Sequence, residues 1–171
     1  MQHCVQIYTG DGKGKTSAAL GLLLRAVGAG QGVFFCQFLK DGTSSECITL
    51  RERFPDVTCR YFGSGKLITG SPSPPDKAAA QAGFAELRAA VHGGAYDLVI
   101  ADEINHAVKL KLIDVEAVID LMTGKPPAVE LVFTGRKVHP RIMEHADLVS
   151  EIVCRRHPFE RGLTARRGID F

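Results

Sequence analysis

No stretch of the chain reaches the roughly 18 consecutive apolar residues of a membrane span, although 45% of its 171 residues are hydrophobic. The amino terminus, MQHCVQIYTG, lacks the basic segment and apolar core of an export signal. Together these absences predict neither anchor nor export, and a cytoplasmic location. Charge of one sign is missing too: 21 Lys and Arg stand against 19 Asp and Glu, for a net charge of +2. No global field therefore argues for nucleic acid or a membrane surface as a partner. The cysteines (Cys4, Cys36, Cys47, Cys59, Cys154) are odd in number and form no C-x-x-C pair. Three lie in apolar runs that read as buried strands, which predicts reduced core thiols rather than disulfides. His3, His92, His139, His145 and His157 show no metal-ligand spacing, so no zinc site is expected. There is no internal repeat.

What is present suits one domain over residues 1–171. Short apolar runs at Cys4 to Tyr8, Val33 to Leu39, Val57 to Phe62, Asp97 to Ala101, Val129 to Phe133 and Leu148 to Val153 are mostly continuous, as in strands covered on both faces. Helical segments lie between them, at Lys15 to Gly28, Asp76 to His92, Asp114 to Leu121 and Pro140 to Ala146. Strand and helix in alternation predict an α/β fold with an open, mainly parallel sheet flanked by helices. The Gly-, Ser- and Pro-rich stretch from Gly63 to Pro75 reads as a mobile loop at the carboxyl edge of that sheet, where open α/β folds bind ligands.

Residues 9–17, TGDGKGKTS, nearly spell the phosphate-binding pattern G-x-x-x-x-G-K-[ST]. Thr9 stands at the first glycine position and the glycine follows at Gly10, which can take over the tight bend. Gly10, Gly12 and Gly14 let the backbone turn with its amide hydrogens inward, and Lys15 and a helix start add positive potential. Such a loop fits the phosphates of ATP, with Thr9, Gly10, Asp11, Gly12, Lys13, Gly14, Lys15, Thr16 and Ser17 as the contacting segment. The Thr16 hydroxyl falls where a magnesium ion bridging phosphates sits.

A magnesium site here needs a carboxylate from a neighbouring strand end, and DLVIADE (97–103) ends an apolar strand in Asp102 and Glu103. A third strand, ELVFTGR (130–136), ends in Arg136, whose fork can reach a phosphate oxygen. Between Arg155 and Arg167 five arginines and His157 face only Glu160, a basic segment read as mostly solvated surface.

Taken in order, TGDGKGKTSAALGLLLRAVGAG, QFLK (37–40) with Glu46 downstream, ADEINHAVKLKLID, VFTGR and HPFERGLTARRGIDF resemble the P-loop class of ATP:cob(I)alamin adenosyltransferases, over nearly the whole chain. The resemblance implies a RecA-like P-loop NTPase fold, a homodimer, and transfer of the 5′-deoxyadenosyl group of ATP to the cobalt of a reduced corrinoid. It also implies release of triphosphate, and an electron-donating reductase to supply the reduced acceptor (cobalamin, cobinamide or a cobyrinic acid derivative). By the family's motifs, Thr16 and Glu103 hold magnesium or manganese, Asp102 supports that site, Lys15 and the loop grip the triphosphate, and Arg136 lies near the nucleotide. Gly168, Ile169, Asp170 and Phe171 match the family's ending.

The chain departs from the family in places. Where the family carries a Gly-aromatic-x-aromatic segment against the corrin face, it reads Gly65-Lys66-Leu67-Ile68, so Leu67 and Ile68 are expected to supply the apolar wall. His106 stands where an aromatic is common, and both corrinoid contact and a plain helix-surface position fit it. The first strand begins close to Met1, so no lid is expected from that end. A P-loop kinase or ATPase, or a non-catalytic ATP-sensing module, remains the alternative from the phosphate loop alone.

Overall fold

In the computed structural model, which describes residues 3–170, strands and helices alternate along the chain. β1 (Val5–Thr9) leads into α1 (Lys15–Gly28), then β2 (Val33–Phe38), α2 (Ser45–Arg53), β3 (Thr58–Phe62), α3 (Pro74–His92) and β4 (Leu98–Asp102). Next come α4 (Ile104–Lys109), α5 (Val115–Thr123), β5 (Glu130–Thr134), α6 (Pro140–Met143) and β6 (Leu148–Glu151), then a 3-10 turn at Pro158–Arg161. The strands form one sheet in the order β3-β2-β4-β5-β1-β6, and every pairing is parallel. Parallel neighbours need crossovers, and the crossovers lay helices on both faces.

Side chains of alternate residues feed two cores. Phe34, Cys36 and Phe38 of β2 and Val99 and Ala101 of β4 face α3, α4 and α5, where Phe84, Leu87, Ile104 and Leu121 meet them. Val33 and Phe35, with Leu98 and Ile100, face the other way onto Ala19, Leu23 and Ala26 of α1 and Leu50 of α2. β2 and β4 are buried at every residue. Continuous burial fails towards the edges: β1 alternates, β3 is partly covered and β6 is exposed throughout. An edge strand has a neighbour on one side only and less helix above it. The expectation of three cysteines in buried strands is corrected accordingly, since only Cys36 of the three is buried while Cys4 and Cys59 are half-covered. All five thiols are free.

Two helices exceed the sequence expectation. α2 has only Cys47 and Leu50 buried and α4 is six residues long, so neither prints a long apolar period. α3 starts two residues earlier than expected, at Pro74. The Ser73 hydroxyl accepts from the Asp76 N–H, the Asp76 carboxylate accepts from the Ser73 N–H at 2.9 Å, and Pro74 fills a first-turn position that needs no donor. α5 runs on to Thr123, while α6 stops at Met143 and β6 at Glu151. Among the described residues no helix is long and apolar enough to cross a membrane.

Because all strands run in parallel, the carboxyl ends of β1, β2, β3, β4 and β5 share one edge, and the loops leaving them carry the phosphate-loop, acidic, arginine and apolar-wall candidates. Gly83 keeps α3 close to that edge: a Cβ there would lie 2.4 Å from Cγ of Phe62. Gly83→Ala is expected to lower stability by about 1–2 kcal/mol, overpacking outweighing alanine's helix preference. Urea unfolding checks this, and a stabilised variant would refute the close packing.

Candidate functional site

The loop between β1 and α1 turns through two left-handed glycines, Gly10 at φ +96 and Gly14 at φ +124. Thr9 ends β1, is buried, and accepts from the Ile152 N–H at 2.8 Å. The bend therefore starts at Gly10, as expected from the displaced glycine. A Cβ on Gly10 or Gly12 would stand 2.4 or 2.7 Å from the Ile152 carbonyl oxygen, so both glycines permit a close approach of two backbones. One expectation is corrected: the Gly12 N–H donates to that carbonyl at 2.7 Å and does not turn inward. The start of α1 has no side-chain cap, which leaves its first-turn N–H groups for a ligand.

Lys15 is buried, and its ammonium donates to the Gly12 carbonyl at 2.7 Å across the loop. Burial pushes its pKa down, as does Arg136, against the opposing pull of Glu103, Asp11 and Asp102. Deeper lies Asp102, with no solvent exposure. Its Oδ1 accepts from the hydroxyls of Thr16 at 2.9 Å and Thr134 at 2.5 Å, and its Oδ2 accepts from Gln37 Nε2 at 2.9 Å. Burial raises this carboxyl's pKa; the Thr134 bond lowers it, Glu103 raises it, and the Gln37 and Thr16 bonds lower it again. The amide of Gln37 is itself oriented, because the Cys47 thiol donates to its Oε1 at 2.8 Å and the Ser44 hydroxyl donates to that sulfur at 3.0 Å.

Glu103 caps α4 in the left-handed region at φ 61, a backbone state that costs a non-glycine residue about 1–3 kcal/mol. Its N–H donates to the Thr134 hydroxyl at 3.0 Å, and its carboxylate lies 3.5 Å from Nδ1 of His106. Gly135, at φ +129, lets β5 turn beside α4, and Arg136 follows it. Arg136 makes no hydrogen bond or ion pair to any described residue.

One cleft of about 840 Å³ gathers these groups. Gly12 to Ser17 form its floor, with Gln37, Asp102, Glu103, His106 and Arg136. Leu67, 81% exposed, and Ile68 line it with Leu39 and Leu110, and the chain after His157 closes another side. Every expected site residue lines this cleft except Thr9, which ends β1, Gly10, which packs on the Ile152 backbone, and Asp11, which lines an adjoining cavity of about 310 Å³ with Arg136 and Cys154. Phe171 lies outside the described residues. Sequence reasoning gave no role to Gln37, Thr134, Cys47 or the tail residue Asp170; a polar Gln37 within the apolar VFFCQF was the available signal.

Thr16, Asp102 and Glu103 offer hard oxygen donors, which suit magnesium or manganese. No cluster of three His, Cys, Asp or Glu residues that could hold a metal occurs among the described residues. The set therefore fits an ion shared with phosphate oxygens and water, the habit of magnesium.

The sequence profile described as ATP:corrinoid adenosyltransferase BtuR/CobO/CobP matches residues 1–171. A corrinoid adenosyltransferase of Pseudomonas aeruginosa is 31% identical over 166 residues, covering 96% of this chain and 82% of that protein. The corrinoid adenosyltransferase CobA of Salmonella typhimurium is 32% identical over 165 residues, covering 96% and 84%. An uncharacterized protein of Nostoc sp. is 33% identical over 180 residues; the alignment takes 98% of this chain but the chain spans only 48% of that protein. Among solved structures, a KaiC-like protein from Pyrococcus horikoshii superposes with a TM-score of 0.62 at 18% identity, over 91% of this chain and 75% of its own. That likeness shows the RecA-like fold alone.

His106 supplies a test of the site's electrostatics. Burial lowers its pKa, helped by Lys109 and Arg136, and these outweigh the Glu103 carboxylate beside it. A depressed folded pKa means the neutral ring contributes stability above the ordinary value of about 6.5, lost as pH falls through the folded pKa. NMR titration of the ring is expected to give a midpoint below 6.5, moving up in Arg136→Gln; a midpoint above 6.5 would contradict this arrangement.

Proposed function

The chain belongs to the ATP:corrinoid adenosyltransferase family, and on that premise we propose that it transfers the 5′-deoxyadenosyl group of ATP to the Co(I) centre of a reduced corrinoid. Inorganic triphosphate is the leaving group, and the reaction serves adenosylcobalamin synthesis or salvage. The observation that carries this reading is a single cleft in which a phosphate loop and an apolar wall, Leu67 and Ile68, face the same space.

Co(I) is a strong nucleophile as a substrate, so the protein's work is alignment and charge neutralisation. The cobalt lone pair attacks C5′, the C5′–O bond breaks, and its electron pair leaves with the triphosphate; cobalt becomes formally Co(III). Lys15 and the first-turn amides of α1 hold the departing phosphates, and Arg136, free of any described partner, adds positive charge near them. Thr16 and Glu103 would hold magnesium or manganese with Asp102 in support, and when bound the ion supplies further positive charge at the phosphates. Leu67 and Ile68 supply the surface for the corrin face. His106, neutral and at the cleft wall, is a further candidate contact.

The reading includes an electron-donating reductase, since Co(I) is reached by reduction. It places the enzyme in the cytoplasm, consistent with five free thiols, and makes it a homodimer by analogy with the family. Neither nucleic acid nor a membrane belongs to it.

The test combines the protein with Mg-ATP and a chemically reduced corrinoid in dim light. A light-sensitive cobalt–carbon bond and one triphosphate per corrinoid, read by 31P NMR, are expected. Diphosphate as the main product would overturn the reading in favour of a kinase or ATPase, and ATP binding without turnover would favour a sensor. Lys15→Ala is expected to lower kcat/KM about a hundredfold or more with its melting transition preserved; near-normal turnover would refute the loop's role. Because leucine and isoleucine stand where aromatics press on the corrin in relatives, complete cobalamin is expected to react more slowly than a corrinoid lacking the lower base. Equal rates would refute that role for Leu67 and Ile68.

A further inference from the structure

Of the arginines between residues 155 and 167, only Arg166 lines the cleft. The chain there folds back on itself: the N–H groups of Ile169 and Asp170 donate to the Arg166 carbonyl, and Gly168 takes φ +76. This turn brings the Asp170 carboxylate onto Arg166, where Oδ2 accepts from the backbone N–H at 2.9 Å and from Nε at 3.1 Å. Its other oxygen, Oδ1, accepts from the ammonium of Lys13 in the phosphate loop, which also donates to the Ile169 carbonyl at 2.6 Å. One carboxylate thus ties the tail to the loop. The Lys13 ammonium, joined by the Arg166 backbone and side chain, holds this carboxyl well below the usual carboxylate range.

An arginine carries five N–H donors in a planar fork. With Nε fixed by Asp170, the plane and direction of the Arg166 guanidinium are set, and its terminal nitrogens have no partner among the described residues. Arg166 shares the cleft with Lys15 and Thr16. We propose that Arg166 is a further triphosphate-binding residue and that Asp170 is its positioning residue, clasping the tail to Lys13. The inference rests on the adenosyltransferase reading and deepens it: a planar, charged fork meets oxygens of the triphosphate, on which charge gathers as the C5′–O bond breaks.

The experiment is calorimetric titration of inorganic triphosphate, with magnesium, into the full chain and its variants. Arg166→Ala is expected to weaken binding about tenfold or more, while Arg167→Ala, outside the cleft, leaves it unchanged. Asp170→Asn removes a negative charge, which by itself would tighten anion binding; weakening of about threefold or more is expected instead, because the fork is released. That weakening should vanish in the Arg166→Ala background. Arg166→Ala binding like the native chain, with Lys15→Ala binding abolished, would overturn this inference and leave the phosphate-loop reading standing. Equal losses in Arg166→Ala and Arg167→Ala, or tighter binding in Asp170→Asn, would overturn it as well. Native affinity in Lys15→Ala would bring down the underlying reading of the site itself.

Discussion

The site depends on one buried carboxylate. Asp102 has no exposure, and an ion removed from water costs several kcal/mol unless its lone pairs are met. Three donors meet them, from Thr16 at the start of α1, Gln37 on β2 and Thr134 at the end of β5. Each belongs to a different element, so satisfying one charge fixes where three elements end relative to β4. The sheet register agrees, since Gln37 pairs with Asp102 across β2 and β4. The Thr16 hydroxyl is thereby held beside the phosphate loop before any ligand arrives, which is the preorganisation that charge stabilisation requires.

Around this fixed node the cleft is built from less constrained parts. Glu103 leaves the strand in a left-handed conformation, Gly135 does so beside it, and both turns aim charged side chains outward from the same edge. Other walls come from the loop carrying Leu67 and from the chain beyond His157, both largely exposed. A rigid grip for phosphates next to adaptable apolar walls suits a reaction in which one small, highly charged substrate must be aligned with one large planar one.

Much of this was legible in the sequence, because its signals are local. Glycine at every second position before Lys15-Thr16 and apolar runs ending in Asp102 and in Thr134 each lie within a few residues, whereas α3 starts at Pro74 rather than at the expected Asp76. What was not legible is carried by distance along the chain. The Asp102 bonds join residues 32, 65 and 86 positions apart, and the Lys13 to Asp170 contact joins residues 157 apart. No periodicity encodes such pairs. The inward Gly12 amide was misjudged for the same reason: its acceptor, Ile152, follows a strand at the far end of the sequence. α4 escaped notice because six residues are too few to print a helical period.

The most direct test is the affinity of Asp102→Asn for Mg-ATP, measured by calorimetry beside its thermal unfolding. A neutral amide keeps the shape and removes the charge that holds Thr16, Gln37 and Thr134 together. Affinity lower by about tenfold or more, with stability equal to the native chain or higher once the buried charge is gone, is the predicted result. Native affinity in that variant would show that the site does not depend on the buried carboxylate.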